Sequence, residues 1–142
     1  MVTNVCGNIY TFPITLPDNP LKWLNCYVVK SASGRDLLID TGFNRPECMQ
    51  ALLEGMRSLD MTAENTDVFL THLHADHTGN AFALHGMGSR VFMGTLDYNR
   101  MIRSREENWQ PARDRTAKEG MTPEEVTVVF QHNPGILYGP EP

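Results

Sequence analysis

The stretch Thr71-His72-Leu73-His74-Ala75-Asp76-His77-Thr78-Gly79 places three of the chain's five histidines and a carboxylate within six positions. It follows the short, mainly apolar run 66–71, which reads as a buried strand. In an extended backbone, side chains at i and i+2 point the same way, about 6–7 Å apart. His72 and His74 can therefore converge on one ion. Asp76 and His77 come just past the turn, where Thr78-Gly79 starts a helix, and from there they can face a second ion beside the first. Imidazole with carboxylate suits Zn²⁺ best, with Fe²⁺ or Mn²⁺ as alternatives. No cysteine lies near enough in sequence to suggest a thiolate-rich structural zinc site. Three clustered imidazoles are unfavourable unless something binds them or they stay neutral, so a chance surface cluster is the weaker reading.

Upstream, residues 5–12 read as a strand ending at Pro13, and 16–20 as a Pro- and Asx-rich loop. Residues 25–29 and 35–40 read as two more strands joined by a hairpin turn at 31–34. A helix is expected over 46–59. Pro46 stands at its first position, after Asn44 or Arg45, and Met49, Leu52, Leu53 and Met56 form one apolar stripe. Downstream, a short helix over 79–85 and a strand over 90–93 complete a βββαβαβ order. That order indicates an α/β protein with a mixed sheet.

From residue 96 to 120 the chain is polar and helical in character. Arg100, Arg103, Arg105, Arg113 and Arg115 sit among Glu106, Glu107, Asp114 and Glu119. An exposed, salt-bridged helix with Tyr98 and Trp109 packed beneath it is preferred over a pocket for an anionic group. Thr122-Pro123-Glu124-Glu125 is a capping box and predicts a helix with Val126, Val129 and Phe130 on its apolar face. A strand is the competitor, because valine and threonine prefer one. Asn133-Pro134-Gly135 stops that element and 138–142 is read as a tail.

A length of 142 residues allows one domain with one core. The formal charge of −5 argues against nucleic acid or an anionic membrane as the main partner. No apolar run approaches the ~20 residues of a membrane helix, and no signal-like start is present. Cys6, Cys26 and Cys48 lack metal-type spacing and read as reduced, mostly buried thiols of a cytoplasmic protein.

The histidine stretch resembles the metallo-β-lactamase superfamily signature T-H-x-H-x-D-H-x-G, and Asp40-Thr41-Gly42 looks like that family's D-T-G element. The resemblance spans about residues 5–97. It implies the N-terminal half of an αββα sandwich over 1–95, a mixed sheet with helices on one face. Residues 96–142 would form a helical insertion or C-terminal extension, not an independent domain. It further implies a binuclear metal hydrolase, nearer the glyoxalase-like enzymes than true lactamases, acting on a small-molecule thioester, ester, lactone or phosphoester. His72 and His74 would hold one ion, and Asp76 and His77 the other. Asp76 would also steer the water, and Asp40 would orient a ligand from behind.

The family also needs a later histidine in a P-G-H-like element, a bridging aspartate and a last histidine. Here Pro134-Gly135 is followed by Ile136, and only His85 and His132 remain after His77. His85 reads as exposed and His132 as a helix C-terminal residue. The expectation is thus half of a site, inactive alone unless a partner completes it, in a homo-oligomer that covers an exposed sheet face. The alternative is a non-catalytic metal-binding or interaction module from a truncated or degenerate hydrolase. Trp23, in the loop between the first two strands, either overhangs the site or simply packs.

Overall fold

The computed structural model describes residues 1–32, 34–103 and 105–140. Ser33 of the expected hairpin turn, Glu141 and Pro142 of the expected tail, and the side chains of Arg105, Glu106 and Glu107 lie outside the described ones.

The expected first strand is two. β1 (Thr3–Cys6) and β2 (Ile9–Thr15) form a hairpin that turns at Gly7, whose φ of +51° falls in the left-handed region glycine enters freely. β2 runs through Pro13 rather than ending there. Its pairing with β1 stops at Thr11, so the proline's missing N–H falls where only one neighbour, β3, remains. β3 (Trp23–Val29) and β4 (Asp36–Ile39) continue the antiparallel meander. Helix α1 (Pro46–Arg57) crosses to β5 (Thr66–Leu70), which pairs parallel with β4. Two short helices, α2 (Ala75–Thr78) and α3 (Ala81–Gly86), lead to β6 (Arg90–Met93), parallel to β5. The six strands lie in sequence order in one mixed sheet.

Alternation along the strands sends Phe12, Ile14, Cys26, Val28, Leu38, Val68 and Leu70 to the helical side. There they meet Cys48, Leu52 and Met56 of α1 and Leu84 of α3 in one core. Each such side chain contributes about 1.5–3 kcal/mol of burial. Helix and sheet approach so closely at Gly55 that a Cβ there would stand within 2.5 Å of the Phe12 ring. The opposite alternation builds a cross-strand row on the other face: Tyr27 pairs Ile39, Ile39 pairs Phe69, and Phe69 pairs Phe92. Tyr27, Phe69 and Phe92 are 40%, 43% and 49% exposed, so this row is open to solvent.

The C-terminal third is helical: α4 (Thr95–Met101), α5 (Arg105–Lys118), α6 (Pro123–Gln131) and α7 (Pro134–Leu137). The capping box decides α6 against a strand. Glu125 N donates to Thr122 Oγ1, and Thr122 N donates to the Glu125 carboxylate at 2.8 Å. Val126 and Phe130 are buried, but Val129, expected on the same face, is 48% exposed. Trp109 packs edge-on to Phe130, whereas Tyr98 is exposed rather than packed beneath the helix. Asn133 caps α7, so the chain continues helically after Pro134. Tyr138, at the start of the expected tail, docks. The Tyr138 carbonyl accepts from Asn44 N (3.0 Å), and its ring lies 5.3 Å from Phe43 and under Arg45. Cys26 and Cys48 are buried, while Cys6 is exposed on the edge strand. No helix among the described residues is long and apolar enough to cross a membrane.

Candidate metal centre

The ends of β4 and β5 lie side by side, with Ile39 opposite Phe69. The chain leaves β4 through Asp40 at a φ of 64°, a conformation aspartate tolerates better than most residues. Asp40 N donates to Phe69 O, which leaves the carboxylate facing the exit of β5. There it accepts from Thr71 N (2.9 Å) and from the Thr71 hydroxyl. The next residues bind the histidine segment from beneath. Thr41 donates to the His77 carbonyl through both its N–H and its hydroxyl, each at 2.9 Å. Asn80, which is buried, donates from its amide to the carbonyls of Thr41 (2.7 Å) and Phe43 (2.9 Å). Gly79 admits this contact: a Cβ there would stand 2.2 Å from Asn44 N.

β5 stops at Leu70, so His72 and His74 lie in the connecting loop, not on the strand. The following helix starts earlier than expected and is split in two. α2 begins at Ala75, with His74 extended at its N-cap, so Asp76 and His77 are helical residues. The Thr78 hydroxyl donates back to His74 O and closes this turn.

The four side chains lie close together. The His72 ring is 4.5 Å from that of His74 and 4.1 Å from that of His77, centroid to centroid. His77 Nδ1 stands 2.8 Å from Asp40 Oδ2, and its Nε2 stands 3.4 Å from Asp76 Oδ2. Burial pushes the His77 pKa down, but the two carboxylates outweigh it and raise the value to about 9. His72 shifts the other way: burial, then the neighbouring imidazoles His77 and His74, hold it below the usual range. The hydrogen bond from His77 keeps the Asp76 carboxyl low, against its burial. Near neutral pH the cluster thus holds a neutral His72, an ionised Asp76 and a protonated His77, whose Nδ1–H faces Asp40 and whose Nε2–H faces Asp76.

This donor set fits a divalent ion. Two ligands each ~2.1 Å from a tetrahedral ion stand about 3.4 Å apart, the separation found between Asp76 Oδ2 and His77 Nε2. Nδ1 of the same ring is held by Asp40, the carboxylate–histidine arrangement that fixes a ligand's tautomer. Among the described residues, no group of three or more His, Cys, Asp or Glu side chains is arranged to hold one ion. The described side chains lie near one another without forming a closed cage.

Residues 24–88, which contain Asp40 and all four cluster residues, match the model of the Metallo-beta-lactamase superfamily. A metallo-beta-lactamase family protein of Thermus thermophilus superposes with a TM-score of 0.71 at 26% identity over 95% of this chain. Over residues 24–88 the chain thus resembles the metallo-β-lactamase superfamily. "Lactamase-like protein vrtG" of Penicillium aethiopicum is 42% identical over 59 residues, which are 42% of this chain. MEM-A1, a subclass B3 metallo-beta-lactamase from a soil metagenome library, shares the fold at a TM-score of 0.57 and 22% identity, over 70% of this chain and 35% of its own. The chain spans 44% of the Thermus protein and 18% of vrtG.

A cavity of about 850 Å³ opens beside His74 and Asp76. From the loop between β2 and β3 it receives Asn19 and Leu21 rather than Trp23. Trp23 is the first residue of β3. It lines a separate depression of about 610 Å³ with Thr3, Thr11 and Lys22, and no histidine borders it. His85 is exposed and bonds Ser89 O, and His132 caps α6 and bonds Val128 O. Sequence reading gave Thr71 and Asn80 no role. Thr71 lay inside the matched motif, but nothing in the sequence singled out Asn80.

Proposed function

We propose that these residues form part of the active site of a metal-dependent hydrolase, acting on a thioester, ester, lactone or phosphoester. The observation that carries this reading is the Asp76–His77 pair at ligand-to-ligand spacing, with the His77 ring held from behind by Asp40. His72 and His74 hold one Zn²⁺ and Asp76 and His77 a second, with Fe²⁺ or Mn²⁺ as alternatives. When bound, the ions polarise the bond under attack and bring the pKa of water to about 7. Asp40 and Thr71 fix the His77 ring, so that Nδ1 keeps its proton and Nε2 gives its proton up on loading. The Asp76 carboxylate has two oxygens, and one remains to orient the attacking water.

The absence of a three-residue cage among the described side chains favours a second reading, a metal-binding module without turnover. Metal content by mass spectrometry, with hydrolysis of a thioester and of a phosphodiester, separates the two. Two ions per chain with turnover, both abolished by His77→Ala, support the hydrolase. One weakly held ion or none, with no turnover, supports the module.

We also propose that a second copy of the chain covers the open sheet face. The row Tyr27–Ile39–Phe69–Phe92 supports this, because contiguous apolar surface marks an association site. Light scattering of the 142-residue chain is expected to give a dimer, and Phe69→Lys a monomer. A wild-type monomer at high micromolar concentration overturns this.

A further inference from the structure

The C-terminal third and the histidine segment meet on one peptide group, the bond between Phe43 and Asn44. Both of its polar atoms are engaged. Its carbonyl, Phe43 O, accepts from the buried Asn80 amide at 2.9 Å. Its N–H, on Asn44, donates to Tyr138 O at 3.0 Å. Gly79 presses on the same group, for a Cβ there would overlap Phe43 C and Asn44 N. Gly79 and Asn80 follow directly on α2, which carries Asp76 and His77. A trans peptide is planar, with its C=O and N–H pointing in opposite directions. Fixing the direction of the Asn44 N–H therefore fixes the direction of the carbonyl that Asn80 holds. Tyr138 is itself anchored. Its N–H donates to Pro134 O at 2.8 Å and closes α7. Its ring packs on Phe43 with centroids 5.3 Å apart. The Arg45 guanidinium lies over that ring at 5.1 Å, an attraction of a cation for an aromatic face. Asp18 (3.0 Å) and Glu47 (3.1 Å) hold the guanidinium in place. α7 rests in turn on Trp109 of α5, so closely that a Cβ on Gly135 would stand 2.9 Å from the indole ring.

We propose that Tyr138 is a positioning residue for the His72–His77 cluster. By orienting the Phe43–Asn44 peptide it keeps Asn80 in place, and with Asn80 the turn that presents Asp76 and His77 to a metal ion. The part concerning the ion rests on the metal-binding reading above. The coupling of Tyr138 to the histidine segment does not, and is tested in the metal-free chain.

Amide hydrogen exchange, followed by NMR without metal, compares the wild type with Tyr138→Ala and Tyr138→Phe. The Asn44 N–H reports the bond to Tyr138, and the Thr41 N–H reports the bond to His77 O. The amides of β3 report the stability of the whole fold. In Tyr138→Ala, exchange at both Asn44 and Thr41 is expected to rise about tenfold relative to β3, as local opening does. Tyr138→Phe keeps the ring against Phe43 and Arg45 and should match the wild type. Faster exchange at Asn44 with Thr41 unchanged means that the bond does not support the histidine segment, and overturns the proposal. Equal acceleration in β3, or outright unfolding of Tyr138→Ala, makes Tyr138 a general stability residue and overturns it as well. Zn²⁺ affinity, from competition with a chromophoric chelator, is the second readout. It is expected to be about tenfold weaker in Tyr138→Ala and unchanged in Tyr138→Phe. A Tyr138→Ala chain that binds Zn²⁺ as tightly as the wild type overturns the proposal. A wild-type chain that binds no Zn²⁺ overturns the metal-binding reading instead, and the exchange rates still decide the coupling.

Discussion

A Gly79→Ala variant is expected to be severely destabilised and to lose metal binding with its fold. The added Cβ would stand 2.2 Å from Asn44 N, 2.4 Å from Phe43 C and 2.6 Å from Gly42 O. All three are backbone atoms, so no side-chain rotation relieves the contact. Gly79 itself has ordinary right-handed φ and ψ, so the requirement is for space and not for backbone freedom. Overpacking typically costs about 1–3 kcal/mol and more where nothing can yield, against a total of about 5–15 kcal/mol for a domain. The melting temperature should fall by roughly 10 °C or more. If α2 moves instead, the bonds from Thr41 and Asn80 break and His77 leaves Asp40. Thermal denaturation followed by circular dichroism checks this. A loss below about 2 °C would mean that the loops do not pack as described.

The second large effect is expected at Asp40. Asparagine, like aspartate, tolerates the positive φ of this position, so Asp40→Asn removes the charge with little added strain. The His77 pKa, about 9 in the metal-free chain, is then expected to fall by more than one unit, read by NMR titration of the ring. The sign of the stability change follows from linkage. His77 is raised above its unfolded value of about 6.5. Its contribution, on the order of 1–3 kcal/mol, is therefore fully present below about pH 6.5 and is lost as pH rises through about 9. The metal-free wild type should lose stability across that window while Asp40→Asn changes little. Metal affinity should rise over the same window, because loading displaces the Nε2 proton. Asp40→Ala should cost about 3–5 kcal/mol, since it also orphans Thr71 N–H and introduces strain. An unchanged His77 titration in Asp40→Asn would sink this account of the pair.

Much of the fold was legible because its signals are local. The stripe through Leu52 and Met56 identified α1, the Thr122–Glu125 box identified α6, and the apolar run at 66–71 identified β5, which ends one residue earlier at Leu70. Errors fell where a neighbour overruled the local signal. Pro13 reads as a strand end, yet it sits in β2 because β1 has already stopped pairing there. Val129 reads as core by periodicity, but the residues packed against α6 reach only Val126 and Phe130. Tyr138 looked like tail and packs on Phe43 because α7 turns the chain back towards the loop before α1.

What the sequence determined by itself was the chemistry of the donors at positions 72, 74, 76 and 77, and the order of the elements that carry them. Both are properties of residue type and close spacing. Only the tertiary structure decided which carboxylate stands behind His77, which residues border the cavity beside it, and that Asn80 ties the two loops together. Those pairs are separated by roughly 20 to 40 positions in the chain and meet only because β4 and β5 end side by side and the C-terminal helices fold back over that end.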